Sequence, residues 1–203
     1  MRAIARRTLI LAATAVAALS LAACGDKGAK KAEGDMSLGD PNAKVKVIEY
    51  ASVTCTHCGR WNQEVFPTFK KKYVDTGKVH YTFREFPTPP MEVAAAGFLV
   101  ARCAGDDKYF QVVDALMRSQ QEMFESGDMR GTLLRVAQSA GMTEAQFDKC
   151  VSDEAALKAF NARAEAGLKA GVEATPTFFI NGKKFEGEQS MEQLDAAIQP
   201  LLK

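Results

Sequence analysis

Apolar and polar residues alternate along two short segments in the first half of the chain, as they do in β-strands. The first segment, Lys44–Ala51, is rich in Val, Ile and Tyr, and the second, Lys78–Phe86, follows a turn at Asp75–Gly77. A helical pattern lies between them, from about Cys58 to Val74, and contains Pro67, which removes a backbone donor and predicts a kink. A strand, a helix and a strand together predict a βαβ unit with parallel strands.

The segment from Met91 to about Gly171 has only helical patterns. Its most apolar stretch is bracketed by Glu92 and Arg102, so it spans only about a dozen residues and is too short to cross a membrane. The end of the chain returns to strands, because Asn181-Gly182 between two strand-like segments is a strong hairpin signal. A capping box that starts at Ser190 predicts a terminal helix. The predicted order is therefore βαβ, a helical block, and ββα.

The first 23 residues have the pattern of a secretory signal peptide. Three arginines precede the apolar run Leu9–Ala23, which is too short for a permanent membrane span. Leu21-Ala22-Ala23-Cys24 resembles the lipobox of bacterial lipoproteins, which implies cleavage before Cys24 and lipidation of that residue. The alternative is an ordinary signal peptide that leaves Cys24 as a stray thiol. Residues 24–38 are polar and predict a flexible tether to a domain at 39–203.

Composition restricts the function classes. The chain has 203 residues, of which 47% are hydrophobic and 25% charged, so we expect one globular domain with an insertion. These proportions exclude a disordered chain and a polytopic membrane protein. The formal net charge is only +1, and three of the basic residues lie in the signal peptide. We therefore expect no nucleic-acid partner.

Cysteine parity supports export and lipidation. The chain has five cysteines, an odd number that needs an explanation in an exported protein. Lipidation of Cys24 leaves four cysteines, enough for two pairs: Cys55, Cys58, Cys103 and Cys150. Disulfides persist outside the cytoplasm, where export would place the domain.

Cys55-Thr56-His57-Cys58 is a C-x-x-C motif where the first strand gives way to a helix. Backbone amides at the helix start favour a thiolate at Cys55, and His57 adds a potentially cationic neighbour. A stabilised thiolate makes the corresponding disulfide a stronger oxidant. A C-x-x-C can also supply two of the four ligands of a zinc site, but the chain has no second C-x-x-C and no H-x-x-H to supply the other two. We interpret His80 as structural. We therefore predict a redox motif and no metal site.

Two motifs near opposite ends of the chain resemble those of the DsbA family. One is Val47–Ser52 followed by the C-x-x-C, and the other is Ala174–Gly182. The resemblance implies an α/β, thioredoxin-like fold interrupted by an all-helical insertion domain at about 91–171. It also implies thiol–disulfide oxidoreductase activity without a cofactor. The family prototype has Pro where Thr56 stands, which affects the expected reduction potential.

The resemblance also assigns roles to residues outside the C-x-x-C. Glu49 matches a buried carboxylate that accepts a proton from Cys58, and burial among apolar neighbours should raise its pKa. Thr175-Pro176 matches a cis-proline loop that binds an extended substrate segment. The alternatives are an outward-facing Glu49 and a trans Pro176 that opens the last hairpin.

Cys103 and Cys150 fall within the predicted helical block. By the same resemblance, the two residues form a second, structural disulfide. Buried free thiols and a shuttle pair remain alternatives.

These observations predict a periplasmic, lipid-anchored dithiol oxidase. Its expected substrates are reduced extracytoplasmic proteins, its expected membrane contact is the bilayer at Cys24, and we expect a monomer. The family analogy implies reoxidation by a DsbB-type membrane oxidase. One alternative is an isomerase or reductase kept in the dithiol state. Another is a module that binds copper(I) through Cys55, His57 and Cys58.

Overall fold

The computed structural model describes residues 34–203, so the predicted signal peptide, Cys24 and the tether up to residue 33 lie outside it. Residues 34–203 form a single sheet with strand order β1-β3-β2-β4-β5. The strands are β1 (Met36–Leu38), β2 (Val45–Ala51), β3 (Val79–Glu85), β4 (Thr177–Ile180) and β5 (Lys183–Glu186). Strands β2 and β3 are parallel, and the other neighbouring pairs are antiparallel.

The helices fall into two groups. Those that belong to the sheet layer are α1 (Thr56–Glu64), α2 (Phe66–Phe69) with a π-helical turn at Lys70–Val74, and α9 (Met191–Ile198) with a final 3₁₀ turn at Gln199–Leu202. The helices inserted between β3 and β4 are α3 (Met91–Cys103), α4 (Tyr109–Arg118), α5 (Gln120–Ser126), α6 (Met129–Ser139), α7 (Glu144–Val151) and α8 (Glu154–Lys169). The thioredoxin-like fold with an all-helical insertion is therefore confirmed. None of the helices within residues 34–203 is long and apolar enough to cross a bilayer.

Strand β2 lies at the centre of the sheet and is buried on both faces. Val45 and Val47 belong to the large core under α1 and the insertion, whereas Ile48 and Tyr50 belong to a smaller cluster on the opposite face. Successive side chains of β2 therefore point alternately into two hydrophobic cores, and neither face of the strand is turned to solvent. This strand leads directly into the C-x-x-C, so the redox motif starts from one of the most buried parts of the fold.

The predicted hairpin is present and has the expected backbone. Asn181 and Gly182 both have positive φ, at 43° and 83°. These values suit a tight two-residue turn, and β4 and β5 pair antiparallel across it. The predicted capping box at Ser190 is also present, with Gln193 as its partner.

The predicted ends of the tether and of the first helix were wrong, and that helix starts two residues earlier than predicted. The tether was predicted to continue to residue 38, but Met36–Leu38 form β1 and pair with β3, and Asp35 makes an ion pair with Arg84. The helix predicted from about Cys58 begins at Thr56, because Cys55 is already its N-cap. This helix also ends at Glu64, before Pro67, which lies in the first turn of a separate helix where no backbone donor is needed.

Candidate redox site

The C-x-x-C lies at the carboxyl end of β2, where the chain enters α1. Cys55 is the N-cap of α1 and has extended backbone angles. Its sulfur accepts a hydrogen bond from the backbone N–H of Cys58, with a donor–acceptor distance of 3.4 Å. The positive end of the helix is thus directed at the first sulfur, as the sequence predicts. Cys55 is half-buried and Cys58 is fully buried, so only the first sulfur is accessible.

The two thiols have pKa values shifted in opposite directions. The pKa of Cys55 is lowered from 9.0 to about 6, mainly because the Cys58 thiol donates to its sulfur. The backbone N–H groups of Cys58 and His57 also lower it, against the effect of burial. Burial is the main reason that the pKa of Cys58 is raised well above 9.0. At neutral pH the site therefore holds one thiolate and one thiol.

The Thr175–Pro176 peptide is cis and lies beside the accessible sulfur. When Cys55 is protonated, its thiol donates to the carbonyl of Thr175 over 3.4 Å. Pro176 has no backbone N–H to compete with that thiol, and its own carbonyl accepts from Gly187. The two motifs that carried the resemblance are thus brought together from positions 120 residues apart.

Glu49 is buried, with only 2% of its surface exposed, and faces the core rather than solvent. Tyr81 donates a short hydrogen bond to its carboxyl group. Desolvation raises the pKa of Glu49 to about 8, which outweighs the opposing effect of the Tyr81 hydrogen bond. The carboxyl group is therefore mostly protonated at neutral pH. Glu49 is also close enough to Cys58 to contribute to the raised pKa of that thiol.

His57 and Thr56, the two central residues of the motif, are exposed. The His57 ring makes its hydrogen-bond contacts with Glu188 and Arg60. Its Nδ1 atom is 2.5 Å from Oε1 of Glu188, and the side chain is 63% exposed. His57 contributes to the Cys55 thiolate through its backbone N–H.

Gln120, a residue that sequence reasoning missed, connects the helical insertion to the redox loop. Its side chain is buried at the start of α5, where Nε2 donates to the carbonyls of Val53 at 2.8 Å and Cys55 at 3.1 Å. The amide also fills the space next to Gly59, where a Cβ atom would lie only 2.4 Å from Oε1 of Gln120. Nothing in the local sequence around Gln120 indicates this contact.

Cys103 and Cys150 form a disulfide between the end of α3 and α7, with their Cα atoms 6.3 Å apart. This disulfide belongs to the helical insertion and does not contact the C-x-x-C. His80 lies on β3 and is partly buried. Within residues 34–203, no cluster of three or more His, Cys, Asp or Glu side chains could hold a metal ion.

Comparison with known proteins agrees with this geometry. A family model described as Thioredoxin matches residues 31–200. The chain belongs to the thioredoxin family. Its fold is similar to the crystal structure of Wolbachia pipientis alpha-DsbA1, with a TM-score of 0.77 and 29% identity over 87% of this chain and 95% of that one. The resemblance to the DsbA proteins is therefore confirmed.

Two further relatives extend the comparison. A Rickettsia bellii protein, provisionally named as a protein-disulfide oxidoreductase, is 35% identical over 168 residues, or 82% of this chain. The chain spans 64% of that protein's length. The structure of oxidised BdbD from Bacillus subtilis has the same fold, with a TM-score of 0.73 at 22% identity, and covers 83% of this chain and 93% of its own. The paired thiols agree with what the name of the R. bellii protein says of that protein, and the likeness to BdbD shows the fold alone.

Proposed function

We propose that the protein is a dithiol oxidase that donates the Cys55–Cys58 disulfide to reduced extracytoplasmic proteins. The observation that supports this direction is the lowered pKa of Cys55, about 6. A thiolate that is stabilised in the reduced protein favours the dithiol product, so the disulfide is a strong oxidant. The same stabilisation makes Cys55 a good leaving group when substrate takes over the disulfide.

The proposed reaction begins with the oxidised protein. A substrate thiolate attacks Sγ of Cys55, the accessible sulfur, and forms a mixed disulfide while the Cys55–Cys58 bond breaks. Cys58 leaves as a thiolate with a high proton affinity, and protonated Glu49 supplies its proton. A second substrate thiolate then attacks the substrate sulfur of the mixed disulfide and displaces Cys55. Two electrons have passed from the substrate, which leaves with its own disulfide.

The Thr175–Pro176 loop would bind the substrate during this exchange. Because the Thr175 carbonyl is 3.4 Å from the Cys55 sulfur, an extended segment that pairs with this loop would bring its cysteine to the reacting atoms. His57 and Thr56 lie exposed at the rim, where they would contact the same segment. Thiol–disulfide exchange of this kind needs no cofactor.

The location and the partners are also part of the proposal. The basic and apolar N-terminal segment and the lipobox-like residues before Cys24 support export to the periplasm and anchoring in a bilayer through that cysteine. A reduced oxidase must be reoxidised to turn over, and a DsbB-type membrane oxidase is the partner that we propose. We propose that the domain acts as a monomer.

The direct test combines oxidised protein with a reduced peptide that contains two cysteines. We expect the peptide to gain a disulfide as Cys55 and Cys58 become thiols. In Cys58→Ser the Cys55 thiolate can attack the disulfide of an oxidised substrate and release one substrate thiolate, but no second thiol resolves the product, so mixed disulfides at Cys55 should accumulate. If the peptide stays reduced while the protein keeps its disulfide, the oxidase proposal is wrong. A strongly reducing potential would instead favour the isomerase or reductase.

A further inference from the structure

A charged cluster at the rim of the redox site is not used in the reaction described above. It consists of His57 and Arg60 from the first turns of α1, and Glu188 from the loop between β5 and α9. Arg60 donates to both carboxylate oxygens of Glu188, through Nε at 2.9 Å and through Nη2. The same carboxylate lies 2.5 Å from Nδ1 of His57.

The backbone of Glu188 is fixed on both sides. The N–H of Gly187 donates to the carbonyl of Pro176 over 2.9 Å, which connects this loop to the cis-proline. The indole N–H of Trp61 donates to the carbonyl of Gln189 over 2.9 Å, which connects the loop to α1. The position of the Glu188 carboxylate is therefore set by the two elements that build the redox site.

The carboxylate stays charged at neutral pH. Arg60 is the main reason that the pKa of Glu188 is lowered, and His57 contributes in the same direction. Glu64 is a further acid that acts on Arg60 from the same helix. The His57 ring is thus held by both members of the cluster, since Nη2 of Arg60 lies 2.8 Å from the same Nδ1 atom that contacts Glu188.

We infer that Glu188 is a positioning residue that holds the His57 ring away from the Cys55 thiolate and so limits the oxidising power of the disulfide. The His57 side chain is 63% exposed, and its hydrogen-bond contacts among the described residues are with Glu188 and Arg60. A cation beside the thiolate would stabilise the reduced form and make the disulfide more oxidising. The inference concerns the redox couple itself and holds for either direction of exchange, so it does not depend on the proposed oxidase role.

The test is a titration of the full chain against reduced and oxidised glutathione. Two glutathione thiols reduce the protein disulfide and leave as one glutathione disulfide, so the equilibrium constant measures the couple directly. We expect Glu188→Gln to raise the equilibrium constant for reduction of the protein disulfide by glutathione about two- to fivefold, the size expected for one exposed charge. The pKa of Cys55, measured by thiolate absorbance, should fall in the same variant.

Two controls separate positioning from a general change of charge or fold. Glu192→Gln removes an equal charge from the exposed first turn of α9, where Glu192 makes no ion pair among the described residues, and should leave the equilibrium constant unchanged. In a His57→Gln background, Glu188→Gln should have a smaller effect, because no ring is released. An unchanged or more reducing couple in Glu188→Gln, or an equal effect in both backgrounds, would overturn the inference. Loss of stability without a shift in the couple would overturn it too.

Discussion

Replacing Cys103 and Cys150 together with alanine should lower the free energy of unfolding by about 4 kcal/mol. The disulfide closes a loop with a sequence separation of 47, and the chain-entropy relation gives about this value for such a loop. It joins α3 to α7, so its loss should loosen the insertion more than the sheet. Denaturant unfolding of the two proteins, compared at equal m-values, measures the difference.

The matched control is Cys55→Ser with Cys58→Ser, which keeps the disulfide in the insertion and lacks the redox pair. A reductant should destabilise this control as much as the alanine substitutions destabilise the natural chain. The couple measured with glutathione should change little in the alanine variant, because the disulfide does not contact the C-x-x-C. A loss of less than about 1 kcal/mol would contradict the prediction, since it would place the disulfide at the bottom of the usual range.

Glu49→Gln should slow reduction of the protein disulfide by a substrate thiol about a hundredfold, the lower end of the effect of general acid–base groups. The amide keeps an oxygen that can accept from Tyr81 but cannot supply a proton to Cys58. Quenched thiol labelling gives the rate. Glu192→Gln, an exposed change on α9, serves as the control and should react at the natural rate.

Glu49→Gln should also change how the free energy of unfolding depends on pH. The pKa of Glu49 rises from 4.5 in the unfolded chain to about 8 in the fold, so the folded protein holds the extra proton between these values. The contribution of Glu49 to the free energy of unfolding is present at low pH and is lost as the pH rises through about 8. The difference in unfolding free energy between reduced Glu49→Gln and the natural chain should therefore change over this interval. A natural rate together with a flat difference would exclude Glu49 as the proton donor.

Much of the fold was predictable because its signals are local. The alternation in β2 and β3, the Asn181-Gly182 turn and the capping box at Ser190 depend on neighbouring residues, and each is present. Strand β1 has only three residues and forms because β3 offers it an edge, so its own sequence carried no signal.

In the redox site, too, the features with a local sequence signal were predictable and the contacts between distant parts of the chain were not. The C-x-x-C was predictable from its spacing and its place before a helix, and the position of the cis-proline loop from its resemblance to a known family. Gln120 and Glu188 contact this site from 65 and 131 residues away along the chain. Contacts of that separation depend on how α5 and the last loop pack, which no local pattern encodes. The contact between the His57 ring and Glu188 was not predicted for the same reason.

The measurement that tests the account most directly is the pH titration of the Cys55 thiolate in the reduced protein. Thiolate absorbance, checked by the rate of alkylation at Cys55, should rise around a pH of about 6, well below the value of 9.0 for an ordinary cysteine. Cys58 should stay protonated through this range because its own pKa is raised. A single transition near 9.0 would contradict the account, because the reduced protein would then have no stabilised thiolate to make its disulfide oxidising.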